Sequence, residues 1–121
     1  MDSPRVRLVR RLFELMQTDD LARASEELLA HCAEDVVSQP QASGGEVFRG
    51  RDELRRFWSA FTDNGLQMRA SAYSVTEEGD TVVVTGWVRT NNHGRLADTQ
   101  SRWVYRFNDD DQVVSARVER L

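Results

Sequence analysis

The sequence predicts an α+β domain in which three N-terminal helices pack on one face of a strongly curved, mainly antiparallel sheet. Apolar residues recur at spacings of three and four in the first half of the chain, whereas β-branched and aromatic residues alternate after Leu66. Helices followed by a series of strands are typical of α+β architecture. The length of 121 residues suits one hydrophobic core, so we expect a single domain over residues 1–121.

Two amphipathic helices are predicted to open the chain. Ser3 can cap free backbone amides and Pro4 suits the first helical position, so helix one should begin there. Its apolar stripe is Val9, Leu12, Phe13 and Met16. Asp19 and Asp20 suit the positive end of a second helix. The apolar positions of that helix are Leu21, Ala24, Leu28 and Cys32.

A short strand is predicted over residues 35–39, followed by a surface loop at 41–45 and a second short strand at 46–49. Gly50 should open a third helix, which the segment at 63–65 ends. The apolar stripe of this helix is Leu54, Phe57, Trp58 and Phe61.

Four strands are then predicted in series, at residues 73–75, 81–88, 103–107 and 113–118. Residues 78–79 and 108–111 have the composition of hairpin turns, and residues 91–94 that of a looser connection. Adjacent strands joined in this way are antiparallel.

Composition and charge exclude several classes of protein. The net charge of −4 argues against nucleic-acid binding, and no apolar run approaches the roughly 18 residues of a membrane span. Arginines interrupt the apolar positions of the first 20 residues, unlike a secretory signal, so we expect a cytoplasmic location. All 16 basic residues are arginine, which excludes Schiff-base lysine chemistry.

Four segments carry a family resemblance: AEDVVSQP, GGEVFRGRDELRRFW, EEGDTVVVTG and WVYRFNDDDQVV. Their order and spacing resemble the SnoaL-like branch of the NTF2-like superfamily. The resemblance implies a cone-shaped fold around an apolar pocket. Similar proteins include ketosteroid isomerases, polyketide cyclases, epoxide hydrolases, dehydratases and proteins without demonstrated activity, so the fold does not assign a function.

Gln39 stands where proton-shuttling members of this family place an aspartate, just before the proline that ends the first strand. A glutamine amide has no useful basicity, so isomerase-type proton abstraction lacks its base. Two interpretations stay open. Gln39 either lines the pocket and orients a ligand, or is only a polar residue at a strand end.

The aspartate, arginine and aspartate constellation of the epoxide-hydrolase branch is absent, since Arg89 is followed by Thr90 and Asn91. Neither histidine has metal-ligand spacing, and no glycine motif for phosphate is present. We therefore expect no metal and no cofactor.

The last predicted strand places Ser115, Arg117 and Glu119 on one face by two-residue alternation. If Val113 points inward, this row lines the pocket, and Glu119 is then the one plausible carboxylate acid or base. The alternative is an ordinary salt bridge near the C-terminus.

Aromatic residues gather on two elements. Trp103, Tyr105 and Phe107 alternate onto one strand face, and the third helix presents Trp58 and Phe61. Aromatic residues fill small cores, but tryptophan and tyrosine also supply the polar groups that orient a ligand in an apolar cavity. Core packing and ligand binding both remain open.

We therefore predict a ligand pocket and identify no catalytic residue. The predicted lining is Gln39, Trp58, Phe61, Trp103, Tyr105, Arg117 and Glu119. The expected ligand is a small hydrophobic organic molecule that bears a carboxylate, phenolate or ketone oxygen. The protein is then either an isomerase, cyclase or hydrolase, or a binding or dimerisation module without catalysis.

A homodimer is expected through the outer face of the sheet. Val83, Thr85 and Trp87 alternate together, opposite Val82 and Val84. If the second row faces the pocket, Trp87 is exposed and marks an interface. With the reverse facing, Trp87 joins the pocket.

Overall fold

The computed structural model describes residues 2–18, 20–41 and 45–121. Asp19 and residues 42–44 of the expected surface loop lie outside this description. The helices are α1 (Pro4–Gln17), α2 (Leu21–Ala30) and α3 (Arg51–Asp63). The strands are β1 (Cys32–Gln39), β2 (Phe48–Arg49), β3 (Leu66–Glu78), β4 (Thr81–Asn92), β5 (Arg95–Phe107) and β6 (Val113–Arg120).

The strands form one six-stranded sheet in the order β2-β1-β6-β5-β4-β3. Every neighbouring pair is antiparallel except β1 and β6, which pair in parallel. Three helices pack on one face of this curved sheet, so the predicted α+β class and its mainly antiparallel sheet are confirmed.

Both predicted helix starts are confirmed by their caps. The Val6 amide donates to Ser3 Oγ at 3.2 Å, and the Arg23 amide donates to an Asp20 carboxylate oxygen at 3.3 Å. The placement of Cys32 on the second helix was wrong. Helix α2 ends at Ala30, and Cys32 begins β1 because it pairs with Val113 in the sheet.

Strands β3, β4 and β5 are longer than their apolar centres predict. Their polar ends still pair in register, because a polar residue on the outer face of a sheet does not interrupt the backbone ladder. The looser connection expected at residues 91–94 was also wrong. His93 and Gly94 form a tight turn with φ values of 53° and 92°, and the Gly94 amide donates to Asn91 Oδ1 at 2.8 Å.

Two extra residues bend the sheet. Tyr73 is inserted in β3 opposite the Gly86–Thr85 step of β4, and Val114 is inserted in β6 opposite the Arg106–Phe107 step of β5. Such bulges increase local twist and bend a strand. Gly86 permits the first bulge, since a Cβ at this position would collide with the backbone carbonyl oxygen of Ser71.

The two faces of β4 have different environments. Val82, Val84 and Val88 are buried against the helices, whereas Val83 and Trp87 alternate onto the outer face and are half-buried. Of the two orientations that the sequence allowed for β4, the structure has the one in which Val82 and Val84 face the helices and Trp87 lies outside the pocket. Among the described residues, no helix is both long and apolar enough to span a membrane.

Replacing Gly86 by alanine should lower the free energy of unfolding by about 3 kcal/mol, because the added methyl group forces the β3 and β4 backbones apart. Gly79→Ala is the control: its Cβ meets nothing within 4 Å, and only the left-handed backbone of this turn costs about 1 kcal/mol. Chemical denaturation measures both values. Equal losses would show that the close approach at Gly86 is not a packing constraint.

Candidate functional site

A cavity of about 290 Å³ lies between the helices and the inner face of the sheet. All three helices and strands β1, β3, β4, β5 and β6 contribute to its wall. The volume is at the lower end of the range for small-molecule pockets, about 300–1,000 Å³. The bent sheet therefore encloses space for a compact organic molecule.

Aromatic side chains form much of the wall. Trp58 and Phe61 of α3, and Trp103 and Tyr105 of β5, all lie at the cavity. Trp58 and Phe61 have ring centroids 5.8 Å apart, and Trp103 packs edge-on against Phe13 at 4.8 Å. Trp103 and Tyr105 thus belong to the core and to the cavity wall at once.

Two hydroxyl groups stand at the closed end of the cavity. Ser38 and Tyr105 each pair with Ala116, from β1 and β5 respectively, so the three residues form one row across the sheet on its inner face. Ser38 and Tyr105 are buried, and no hydrogen bond joins either hydroxyl to another described residue. Burial raises the pKa of Tyr105, and the neighbouring Cys32 adds to this increase. The phenol therefore remains protonated at neutral pH and can donate a hydrogen bond.

Gln39 does not point into the cavity. It pairs with Arg117 in the parallel β1–β6 ladder, one position from the inward Ser38, and it is absent from the cavity wall while Ser38, Pro40 and Gln41 belong to it. Adjacent strand residues face opposite sides of a sheet. The interpretation of Gln39 as a polar residue at a strand end fits this geometry.

The prediction that Ser115, Arg117 and Glu119 share the inward face of β6 with Val113 was wrong. Val113 points inward and is buried, but the bulge at Val114 shifts the alternation by one residue. Ala116, Val118 and Arg120 therefore lie on the inner face, opposite Tyr105, Trp103 and Ser101.

Glu119 lies on the outer face, where it bonds two arginines. Arg102 donates to one Glu119 oxygen at 2.7 Å, and Arg117 donates to the other at 2.7 Å. The hydrogen bond from Arg102, and then that from Arg117, lowers the pKa of Glu119. Glu119 is thus a salt-bridged carboxylate outside the cavity, not an acid or base within it. Arg117 touches the cavity wall, but its guanidinium is committed to this pair.

No aspartate, glutamate or histidine lines the cavity in the part of the chain that the structure describes. Cys32 is buried and lies outside the wall, and burial raises the pKa of its thiol to about 12 although Arg51 acts in the opposite direction. A neutral thiol is a poor nucleophile. The same described residues hold no cluster of three or more His, Cys, Asp or Glu side chains that could bind a metal ion.

Sequence reasoning missed six polar residues of the wall: Ser25, Ser38, Gln41, Thr90, Thr99 and Arg120. The alternation of side chains along a strand would place Ser38 in the wall only if the pairing of β1 with β6 were known. It would place Arg120 there only if the bulge at Val114 were known. The Trp58 indole N–H is also unexpected, since it is buried and has no acceptor among the described residues. An unpaired buried donor costs about 1–3 kcal/mol.

Solved structures with this fold include an epoxide hydrolase and a protein of unknown function. An NTF2-like protein of unknown function from Burkholderia pseudomallei is 24% identical, with a TM-score of 0.80, and the alignment covers 99% of this chain and 92% of that one. TerC, co-crystallized with polyporic acid, is 19% identical with a TM-score of 0.76, covering 98% and 92%. An LEH-like epoxide hydrolase from Mycobacterium tuberculosis is 13% identical with a TM-score of 0.77, covering 97% and 82%. At these identities the likeness shows the fold alone.

No curated protein matches the sequence. The family model of the SnoaL-like domain, in contrast, matches residues 9–116. The match extends from α1 into β6 and therefore includes the elements that enclose the cavity. This chain belongs to the SnoaL-like domain family.

Proposed function

We propose that this protein binds a small, mainly apolar organic molecule in the cavity and does not use a carboxylate or histidine as a general base. The observation that carries the proposal is the composition of the wall. Aromatic and aliphatic side chains surround a few hydroxyl groups, and the described lining contains no Asp, Glu or His. Such a wall can desolvate and orient a ligand but lacks an obvious proton acceptor.

Two features favour ligand binding over a module that only dimerises. The interior is open, with about 290 Å³ of space, where a purely structural domain would fill its core to close packing. A structural relative, TerC, was co-crystallized with polyporic acid, an organic molecule. Catalysis of the isomerase, cyclase or hydrolase kind would have to use hydroxyl groups such as that of Tyr105. A cytoplasmic location stays a prediction, which cell fractionation would test.

Ligand binding should change the fluorescence of the two cavity tryptophans. Trp87 lies on the outer face, so Trp87→Phe leaves Trp58 and Trp103 as the only indole reporters. Titration of this variant with aromatic acids and ketones should give saturable quenching. Ala116→Leu, which fills the closed end of the cavity, should weaken binding at least tenfold through overpacking.

Ser115→Leu is the matched control, because Ser115 precedes Ala116 but pairs with Arg106 on the outer face. It should bind the panel as the parent does. Circular dichroism should show both leucine variants folded. No saturable binding by the parent across the panel, or equal binding by the Ala116→Leu variant, would contradict the proposed function.

The protein should not isomerise Δ5-3-ketosteroids above background. Loss of a general base typically removes about 10²- to 10⁴-fold in rate. Position 39 holds a glutamine, and no described residue of the cavity wall supplies a carboxylate. Absorbance of the conjugated product measures turnover, with an active ketosteroid isomerase as positive control. Robust turnover that Tyr105→Phe abolishes would identify the phenol as the proton-transfer group and contradict the prediction.

We also propose a homodimer through the outer face of the sheet. Val83 and Val104 pair across β4 and β5 there, and both are half-buried, as is Trp87. Opposite charges flank these residues, including Arg89 and Asp98, joined at 2.7 Å. A surface with an apolar centre and a mixed-charge rim can match its own copy about a two-fold axis.

Light scattering should give a mass of about twice the 13.9 kDa of one chain. Trp87→Glu should yield the monomer, since it places a charge at the apolar centre of the interface. Val47→Glu is the control, because Val47 is exposed in the segment before β2. A monomeric parent protein, or a dimer that survives Trp87→Glu, would contradict the dimer.

A further inference from the structure

The open end of the cavity, where the exposed residues Ala97 and Arg120 belong to the wall, is positively charged. Arg117 and Arg120 are the charged residues of the described wall, and no described acidic residue belongs to it. The protein as a whole carries a net charge of −4. A basic entrance on an otherwise acidic protein creates a locally positive electrostatic potential, which favours the binding of anions there.

The two arginines differ in what they bond. The Arg117 guanidinium donates to Glu119 at 2.7 Å, so it is held on the outer face by a carboxylate that it shares with Arg102. Arg120 has no ion pair or side-chain hydrogen bond with the other described residues. It lies on the inner face opposite the buried Ser101, and its side chain is exposed at the end of β6. Arg120, not Arg117, is therefore the cation available to a ligand.

The closed end offers a different chemistry. The hydroxyls of Ser38 and Tyr105 flank Ala116 in the inward row, and both lack hydrogen-bond partners among the described residues. Their Cα atoms are separated by two strand spacings, roughly 10 Å, with only the small Ala116 side chain between them. A ligand oxygen seated over Ala116 could therefore contact hydroxyl groups from either side.

The distance between these ends follows from strand geometry. Ala116 and Arg120 lie four residues apart on the inner face of β6, which corresponds to about 13 Å. Val118 lies between them on the same face, and its partner across the sheet is Trp103. The path from the hydroxyl groups to Arg120 is thus apolar and partly aromatic.

We infer that the cavity takes a rigid, elongated aromatic carboxylate, with its carboxylate bound by Arg120 at the open end and a hydroxyl or ketone oxygen hydrogen-bonded to Tyr105 and Ser38 at the closed end. This inference rests on the proposed function and adds the ligand class and the specificity-determining residue. In this assignment Arg120, Tyr105 and Ser38 bind the oxygen atoms of the ligand, a role that the sequence had suggested for Arg117 and Gln39. Arginine suits this position because its planar guanidinium can bind both carboxylate oxygens.

The test compares two ligands of one shape: the biphenyl that carries a hydroxyl and a carboxylate at its opposite para ends, and the corresponding carboxamide. Binding is measured by calorimetry for the parent, for Arg120→Gln and for Arg117→Gln. The parent should prefer the carboxylate about tenfold, and this preference should shrink at high salt because exposed charges are screened. Arg120→Gln should remove the preference by weakening only the carboxylate. Arg117→Gln should leave the carboxylate preferred, because the Arg117 guanidinium is bonded to Glu119.

Tyr105→Phe tests the other end. It should weaken both ligands by a similar factor, about fivefold, since both carry the hydroxyl and one neutral hydrogen bond is lost. It should have little effect on the biphenyl carboxylate that lacks the hydroxyl. Arg120→Gln and Arg117→Gln alter exposed side chains, so thermal unfolding should confirm that both variants remain folded.

The outcomes separate this inference from the proposed function. Binding of both ligands with no preference for the carboxylate, or a preference that survives Arg120→Gln, would overturn the inference and leave the proposed function standing. A preference that only Arg117→Gln removes would also overturn it. No binding of these ligands or of the wider aromatic panel would overturn both.

Discussion

The side chains that β3 and β6 bring to the cavity depend on one extra residue accommodated in each of these strands. The insertion of Tyr73 in β3 requires a glycine at position 86, because the Ser71 carbonyl occupies the space of any side chain there. The insertion of Val114 in β6 reverses the facing of all later residues of that strand. The bulge in β3 bends the sheet around the helices. The bulge in β6 determines which face of the later part of that strand is turned toward the cavity.

The bulge in β6 places the carboxylate of this strand on the outer face, away from the cavity. On the outer face, Glu119 forms ion pairs with both Arg102 and Arg117, and the hydrogen bonds from these arginines lower the pKa of Glu119. On the inner face, the same strand presents Ala116, Val118 and Arg120. Without the bulge, Glu119 and Arg117 would both face the cavity, and its wall would contain a carboxylate. Because of the insertion at Val114, the cavity wall receives the apolar residues Ala116 and Val118 and the cation Arg120 from β6, and no carboxylate.

Membership in the SnoaL-like domain family leaves the chemistry of this cavity undecided, because one fold supports several reactions. The local groups are more informative. The hydroxyls of Ser38 and Tyr105 can donate and accept hydrogen bonds, and burial keeps the phenol protonated. Cys32, which lies close enough to influence Tyr105, is itself held in the neutral thiol form by burial. These groups are suited to recognising a polar atom rather than to removing a proton at neutral pH.

The sequence by itself determined where each helix begins, the helix caps at Ser3 and Asp20, and the series of antiparallel strands. These features follow from local periodicity and from capping chemistry, both of which act over a few residues. The facing of Gln39, Arg117 and Glu119 was decided only by the tertiary structure. A strand alternates strictly, so a single inserted residue such as Val114 inverts everything that follows, and whether it is inserted depends on the partner strand. For the same reason the parallel pairing of β1 with β6, which brings Ser38 inward and Gln39 outward, joins residues more than seventy positions apart in the chain and leaves no local pattern from which the site could be predicted.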